Sequence, residues 1–200
     1  MKGIINTLDN LDLANPSLRY ALTHNGTTNC DDIFAAVILD INYKGNLKLI
    51  RTADVPDHLE NSNLIVFGTG EGRFDPHASN SLLRENGIKY SSAGLVWRVF
   101  GKSILRKCNA PGKYLDIVAE KIDTKFIRFI DYYCCGEINA IDSNNVFSAQ
   151  FNLLVSSDCS NEVFEEKFRK AYPIFENILK KEISIWKGKA SYSKSNKHKH

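Results

Sequence analysis

The stretch RYALTHNGTTNCDDIFAAVILDINY, residues 19–43, decides the reading of the fold. Arg19 to His24 is a short strand by composition, and Asn25, Gly26, Thr27, Thr28 and Asn29 follow as a turn. Asp31 and Asp32 then open an apolar run from Ile33 to Tyr43, and acidic residues at that point suit the positive end of a helix. Strand, turn and helix in that order form the first half of a parallel α/β unit.

The same grammar continues outward. Leu47 to Arg51 and Asn63 to Phe67 are short apolar runs of the kind that parallel strands bury on both faces, separated by a loop carrying Pro56. From Ser91 the period changes. Ser91 or Ser92 is a helix N-cap, Leu95, Val96, Val99 and Phe100 follow at helical spacing, and Gly101 marks the expected stop. A second helix is expected through Tyr114, Ile117, Val118, Ile122, Phe126, Ile127 and Ile130, with a boundary near Asp123, and residues 136–145 form a loop. Val163, Phe164, Phe168, Tyr172, Phe175, Ile178, Leu179, Ile183 and Trp186 predict one long amphipathic helix, which Pro173 is expected to start or kink midway. Residues 1–18 have no clear period and are expected to be an irregular lead-in with one short helix. Residues 189–200, all Ala, Ser, Tyr, Lys, Asn and His, are expected to be a disordered tail. There is no internal repeat.

Composition bounds the function. With 200 residues, 43% hydrophobic and 24% charged, the chain can bury a real core. Its formal charge of +3 lies partly in the terminal run from Lys187, so a general nucleic-acid or anionic-membrane surface is not expected. No run approaches the roughly 18 apolar residues of a membrane span. Five cysteines without a CxxC framework, and no signal peptide, predict a reduced cytoplasmic protein.

Two segments carry potential chemistry. Residues 23–32 place a histidine at a strand end and carboxylates at the next helix start, and residues 68–77 (GTGEGRFDPH) follow the third strand toward the same sheet edge. Open α/β proteins build their sites at that edge, and His with Asp suits Mn²⁺, Mg²⁺ or Zn²⁺. Read alone, such residues are more often caps and turn formers. The glycines at 68, 70 and 72 are weak grounds for a nucleotide. Arg73 is a possible phosphate contact, although a solvated arginine is the commoner outcome. Trp97 and Phe100 read as core residues, Cys30 needs no special role, and His198 and His200 belong to the tail.

Residues 23–32 resemble the motif THxGxFHxDD of the Myg (melanocyte-proliferating-gene) family. Ile65 to His77 resembles that family's V(I/V)DVGGG(R/E)FDHH, and RENGIKYSSAGLVWRVFG, residues 84–101, is close to the segment that follows. Residues 126–136 resemble FIxxIDAxDNG more weakly. The resemblance implies a DHH-phosphoesterase-like α/β fold, a parallel sheet flanked by helices, spanning residues 19–150. It also implies that residues 151–188 are the long helix of a truncated second domain. The function implied is metal-dependent phosphodiester hydrolysis on RNA or small nucleotides, with two divalent ions, Mn²⁺ or Mg²⁺ with Zn²⁺ as the alternative, activating water and neutralising phosphate charge.

Carried over position by position, the family's metal ligands leave His24, Asp31, Asp75, His77 and Asp131. Asn29, Gly68, Pro76 and Cys134 stand where it has His, Asp, His and Asp. Glycine ligates nothing through a side chain, and Asn and Pro are poor substitutes for imidazole. The expectation is a degenerate member, weakly active or inactive, or alternatively a non-catalytic binding module. An unrelated α/β binding domain would need the match over residues 84–101 to be accidental. A single zinc held by His24, Asp31, His77 and Cys134 is a sharper idea against the commoner role of cysteine as a small buried hydrophobe.

Overall fold

The computed structural model describes residues 1–9, 11–15, 17–57, 59, 63–136 and 146–197. Four parallel strands, β1 (Ile4–Ile5), β2 (Arg19–His24), β3 (Leu47–Thr52) and β4 (Leu64–Val66), form one sheet in the order β1-β3-β2-β4. In the centre Ala21 pairs with Leu49 on one side and Ile65 on the other. The helices are α1 (Cys30–Asn42), α2 (Ser92–Lys107), α3 (Leu115–Ile122), α4 (Arg128–Cys135), α5 (Val146–Asn152) and α6 (Asn161–Lys197). The α/β class with a parallel, helix-flanked sheet is the architecture expected.

The strands bury apolar residues on both sides because both faces of the sheet are covered. Ala21, Leu49 and Ile65 face a large core shared with α1, α2, α3 and α6. Tyr20, Leu22, Ile50, Leu64 and Val66 face a second, smaller core closed by Ile5, Leu8, Leu11, Leu13, Leu18, Val55 and Leu59. Residues 1–18 are therefore not merely a lead-in, and among their described residues the regular element is a strand, not a helix. Two residues are too few to show a period, so β1 is set by its pairing with β3.

Three further details depart from expectation. α2 continues through Gly101 to Lys107, because Gly101 serves packing: a Cβ there would lie 2.8 Å from Trp97 Cε2, one turn back. Val99, counted into the apolar stripe of α2, is exposed. Between α3 and α4 the chain stays helical but passes through a π-helical turn, Asp123–Ile127, at the expected boundary. The extra residue lets Val118, Ile122, Phe126, Ile127 and Ile130 all stay buried.

α6 is one helix with Pro173 inside it, and Phe164, Phe168, Ala171, Phe175, Leu179 and Ile183 join the large core. It runs on to Lys197, so residues 189–197 are helical where composition predicts a disordered tail. Extending a formed helix adds one hydrogen bond per residue fixed, and no Gly or Pro interrupts that stretch. The expected loop at 137–145 and the histidines 198 and 200 lie outside the described residues. Among the described residues no helix is long and apolar enough to cross a membrane.

Candidate metal centre and its polar network

β2 ends at His24, and the five residues that follow return the chain to the start of α1. An antiparallel bridge holds this loop: Thr28 N–H donates to Ser156 O at 3.0 Å and Ser156 N–H to Thr28 O at 2.9 Å. Asn29 is the N-cap of α1, with extended backbone and no side-chain cap bond. Asp31 and Asp32, both buried, occupy the first turn, where the helix dipole favours carboxylates.

The two aspartates point to different partners. Asp32 Oδ2 lies 3.3 Å from His24 Nε2, while His24 Nδ1 accepts the Gly26 N–H at 3.1 Å. That pattern fits a neutral ring protonated at Nε2. The Asp32 hydrogen bond nonetheless raises the pKa of His24 above its ordinary value, against the opposing effect of burial. Asp31 Oδ2 accepts the Ser92 N–H at 3.2 Å, so this side chain from α1 caps α2. Burial, with the neighbouring Asp32 charge, pushes Asp31 up to about 7.

Asp131, on α4, is completely buried and caps the same helix from the other side. Its Oδ1 accepts the Ser91 N–H at 3.0 Å and the Ser91 hydroxyl at 2.5 Å, and its Oδ2 accepts from Arg84 Nε. Arg84 in turn forks onto both oxygens of Asp123 at 2.8 Å and lies over the Tyr90 ring at 4.3 Å. Gly94 is required here, because any Cβ at that position would collide with the Asp131 carboxylate. Burial pushes Asp131 up to about 6, with Arg84 and Ser91 pulling the other way.

The remaining candidates sit in the loop after β4. Asp75 is buried, and both its oxygens serve that loop: Oδ2 accepts Glu71 N–H at 3.1 Å and Oδ1 accepts His77 N–H at 2.8 Å. The His77 side chain is exposed, and Pro76 is buried. Arg73 is exposed with its guanidinium 4.5 Å from the Phe74 ring centre. Gly68 has a left-handed backbone, φ 71°, and a Cβ on it would lie 2.5 Å from Asp32 Oδ1 and 3.3 Å from both Ser92 Oγ and Thr23 Oγ1. Thr23 Oγ1 is itself buried without a hydrogen-bond partner.

Of the five expected ligands, His24 meets Asp32, which is not one of the five, while Asp31 and Asp131 accept the backbone N–H groups of the adjacent serines 92 and 91. Asp75 and His77 are held in their own loop. Among the described residues no group of three His, Cys, Asp or Glu side chains is placed to hold a metal ion. Cys134 faces Cys30, with Sγ atoms 3.0 Å apart. Several functional-looking residues are absent from the ligand set read from sequence. Asp32 is the carboxylate that meets His24, and its signal was the DD pair. Arg84 opens the segment whose resemblance is strongest, and Ser91 was visible as a cap. The Cys30 contact had no sequence signal, since its partner is 104 positions away.

Comparison with known proteins agrees with this architecture. A sequence model of the MYG1 exonuclease family, described as an uncharacterised protein family (UPF0160), matches residues 20–198. MYG1 exonuclease of Mus musculus is 27% identical over 135 residues, covering 60% of this chain and 34% of the mouse protein. The Homo sapiens and Rattus norvegicus proteins of that name are 26% and 28% identical over 136 residues, with the same coverage. The chain thus spans about a third of the length of the curated relatives it matches. No solved structure matches it significantly. A match over nearly all of residues 20–198, on a parallel sheet whose strand ends carry the motif residues, makes this chain a member of the MYG1 exonuclease (UPF0160) family.

Proposed function

We propose that this chain is a Myg-type phosphoesterase scaffold whose divalent-metal centre is eroded, so that phosphodiester hydrolysis is weak or lost. The observation that carries the reading is Gly68. The position lacks a carboxylate, and the space beside it is taken by Asp32, which is bonded to His24. The other retained acids are also engaged: Asp75 closes a loop, and Asp131 is paired with Arg84. These residues do not fit a two-ion centre. Bound ions would activate water and neutralise charge on a phosphate, and this donor set offers them no converging ligands. The relatives are named exonucleases, so nucleic-acid ends are the substrate class to test, with RNA ends and small nucleotides as the candidates. The cysteines and composition fit a cytosolic setting.

The test pairs activity with binding. The purified chain is assayed with Mn²⁺, Mg²⁺ and Zn²⁺ on short RNA, dinucleotides and a chromogenic phosphodiester, beside His24→Ala. The expected result is equal, background cleavage by both proteins and a melting temperature indifferent to each ion. Efficient, multiple-turnover Mn²⁺-stimulated cleavage abolished by His24→Ala, or a metal-linked rise of several degrees, overturns the reading. The alternative of a non-catalytic binding module is favoured by the same engagement of Asp32, Asp75 and Asp131 with protein partners.

A further inference from the structure

We propose that Cys30 and Cys134 form a reversible intramolecular disulfide, making this chain the substrate of a low-molecular-weight disulfide oxidant. Cys30 is the first residue of α1 and is completely buried, while Cys134 is the penultimate residue of α4 and is half-buried. Their sulfurs are 3.0 Å apart. A disulfide needs about 2.05 Å, so closure asks for a movement of about 1 Å. The two helices already pack against each other, and neither sulfur has to leave its helix to meet the other.

The pair has neighbours that distinguish it from the other thiols. Cys135 is half-buried but adjacent in sequence to Cys134, a spacing that disfavours pairing within the helix. Cys108 lies at the end of α2, and Cys159 is exposed in the turn before α6. Cys134 is the partner that the oxidant reaches first, because Cys30 has no exposed surface.

The exchange balances as follows. Cys134 attacks as its thiolate, a form that the Cys30 hydrogen bond and burial disfavour by raising its pKa, so that exchange is slow. It breaks the S–S bond of glutathione disulfide and expels one glutathione thiolate, which takes up the proton Cys134 lost. Cys30, losing its proton, then attacks the Cys134 sulfur of the mixed disulfide and expels the second glutathione. Two thiol hydrogens and two electrons leave the protein, and one glutathione disulfide becomes two glutathiones. The bond closes a loop of 104 residues, a separation at which cross-linking removes much chain entropy from the unfolded state. The pairing does not depend on whether the chain hydrolyses anything.

The full chain is equilibrated without denaturant in buffers of rising oxidised-to-reduced glutathione, then acid-quenched, alkylated and mapped by mass spectrometry. The expected product is a monomer lighter by two hydrogens, with the Cys30 and Cys134 peptides linked. It melts several degrees higher than the reduced protein, and dithiothreitol reverses both changes. Cys135→Ser leaves this product intact, whereas Cys30→Ala and Cys134→Ser each abolish it. Circular dichroism of the reduced variants separates loss of the bond from loss of the fold. A Cys30 that stays alkylatable, a Cys134–Cys135 or intermolecular link, or a lower melting temperature on oxidation overturns the proposal.

Discussion

Two buried polar clusters meet at the start of α2, and they are built to opposite standards. On the α4 side, Asp131 has a cation, a hydroxyl and a backbone N–H around it, and Arg84 is shared with a second carboxylate. On the β2 side, Asp32 has His24 and the Ser92 hydroxyl and Asp31 the Ser92 N–H, beside an unpartnered Thr23 hydroxyl and a side-chain-free Gly68. In the first cluster the buried carboxylate has a cation in direct contact, and the pairing holds helices together. The second sets two adjacent carboxylates beside His24, with the buried Arg51 guanidinium acting on Asp32 only through space. Burial raises both Asp31 and Asp131; the Asp32 charge adds to the rise at Asp31, whereas Arg84 opposes it at Asp131.

The comparison is broken most sharply at Arg84. Arg84→Met should cost roughly 3–5 kcal/mol, because it strands Asp131 in the interior. Asp131 can escape its charge by taking a proton, so urea denaturation should show a smaller loss at pH 5 than at pH 8. An equal loss at both would mean that Asp131 stays ionised without its cation.

Putting back the missing carboxylate probes the other cluster. Gly68→Asp places a Cβ against Asp32 on a left-handed backbone and adds a third acid, at a cost of about 2–3 kcal/mol. Thermal melts should show that loss with or without Mn²⁺. A recovery specific to Mn²⁺ would mean that one ligand is all the centre lacks.

The smallest effect concerns pH. A carboxyl whose folded pKa is raised from 3.8 to about 7 favours the folded state below 3.8 and loses that advantage as pH rises through about 7. His24, also raised, adds a slope of the same sign. Wild-type stability should therefore fall between pH 5 and 8. Asp31→Asn, which keeps an acceptor for Ser92, should be about 1–2 kcal/mol more stable than wild type at pH 8 and show a flatter profile. A steeper profile in the variant would show that Asp31 is not the group responsible.

Much of the fold was legible in sequence because burial wrote it there. β2, β3, β4 and α1 declare themselves through apolar runs bounded by turn residues, and Ser91 announces α2 by its position before a helical period. Gly101 misled because its lack of a side chain serves the Trp97 ring and not a helix end. The π-helical turn left no trace, since it preserves the spacing of apolar positions on either side. For the candidate centre, residue types could be matched one by one, but pairing could not. Nothing in the order of residues says that Asp131 belongs to Arg84, Asp75 to its own loop, or Cys134 to Cys30.

The sheet ends on two strands that are hard to see, β1 with two residues and β4 with three, outside central strands of six. Open edges invite other chains to add a strand and seed aggregation, and natural proteins blunt them by keeping them short. The brevity that hides these strands from a reader of the sequence also leaves little backbone exposed as a template for self-assembly. The regular pairing surface is kept inside, on β2 and β3, where each strand has a neighbour on either side.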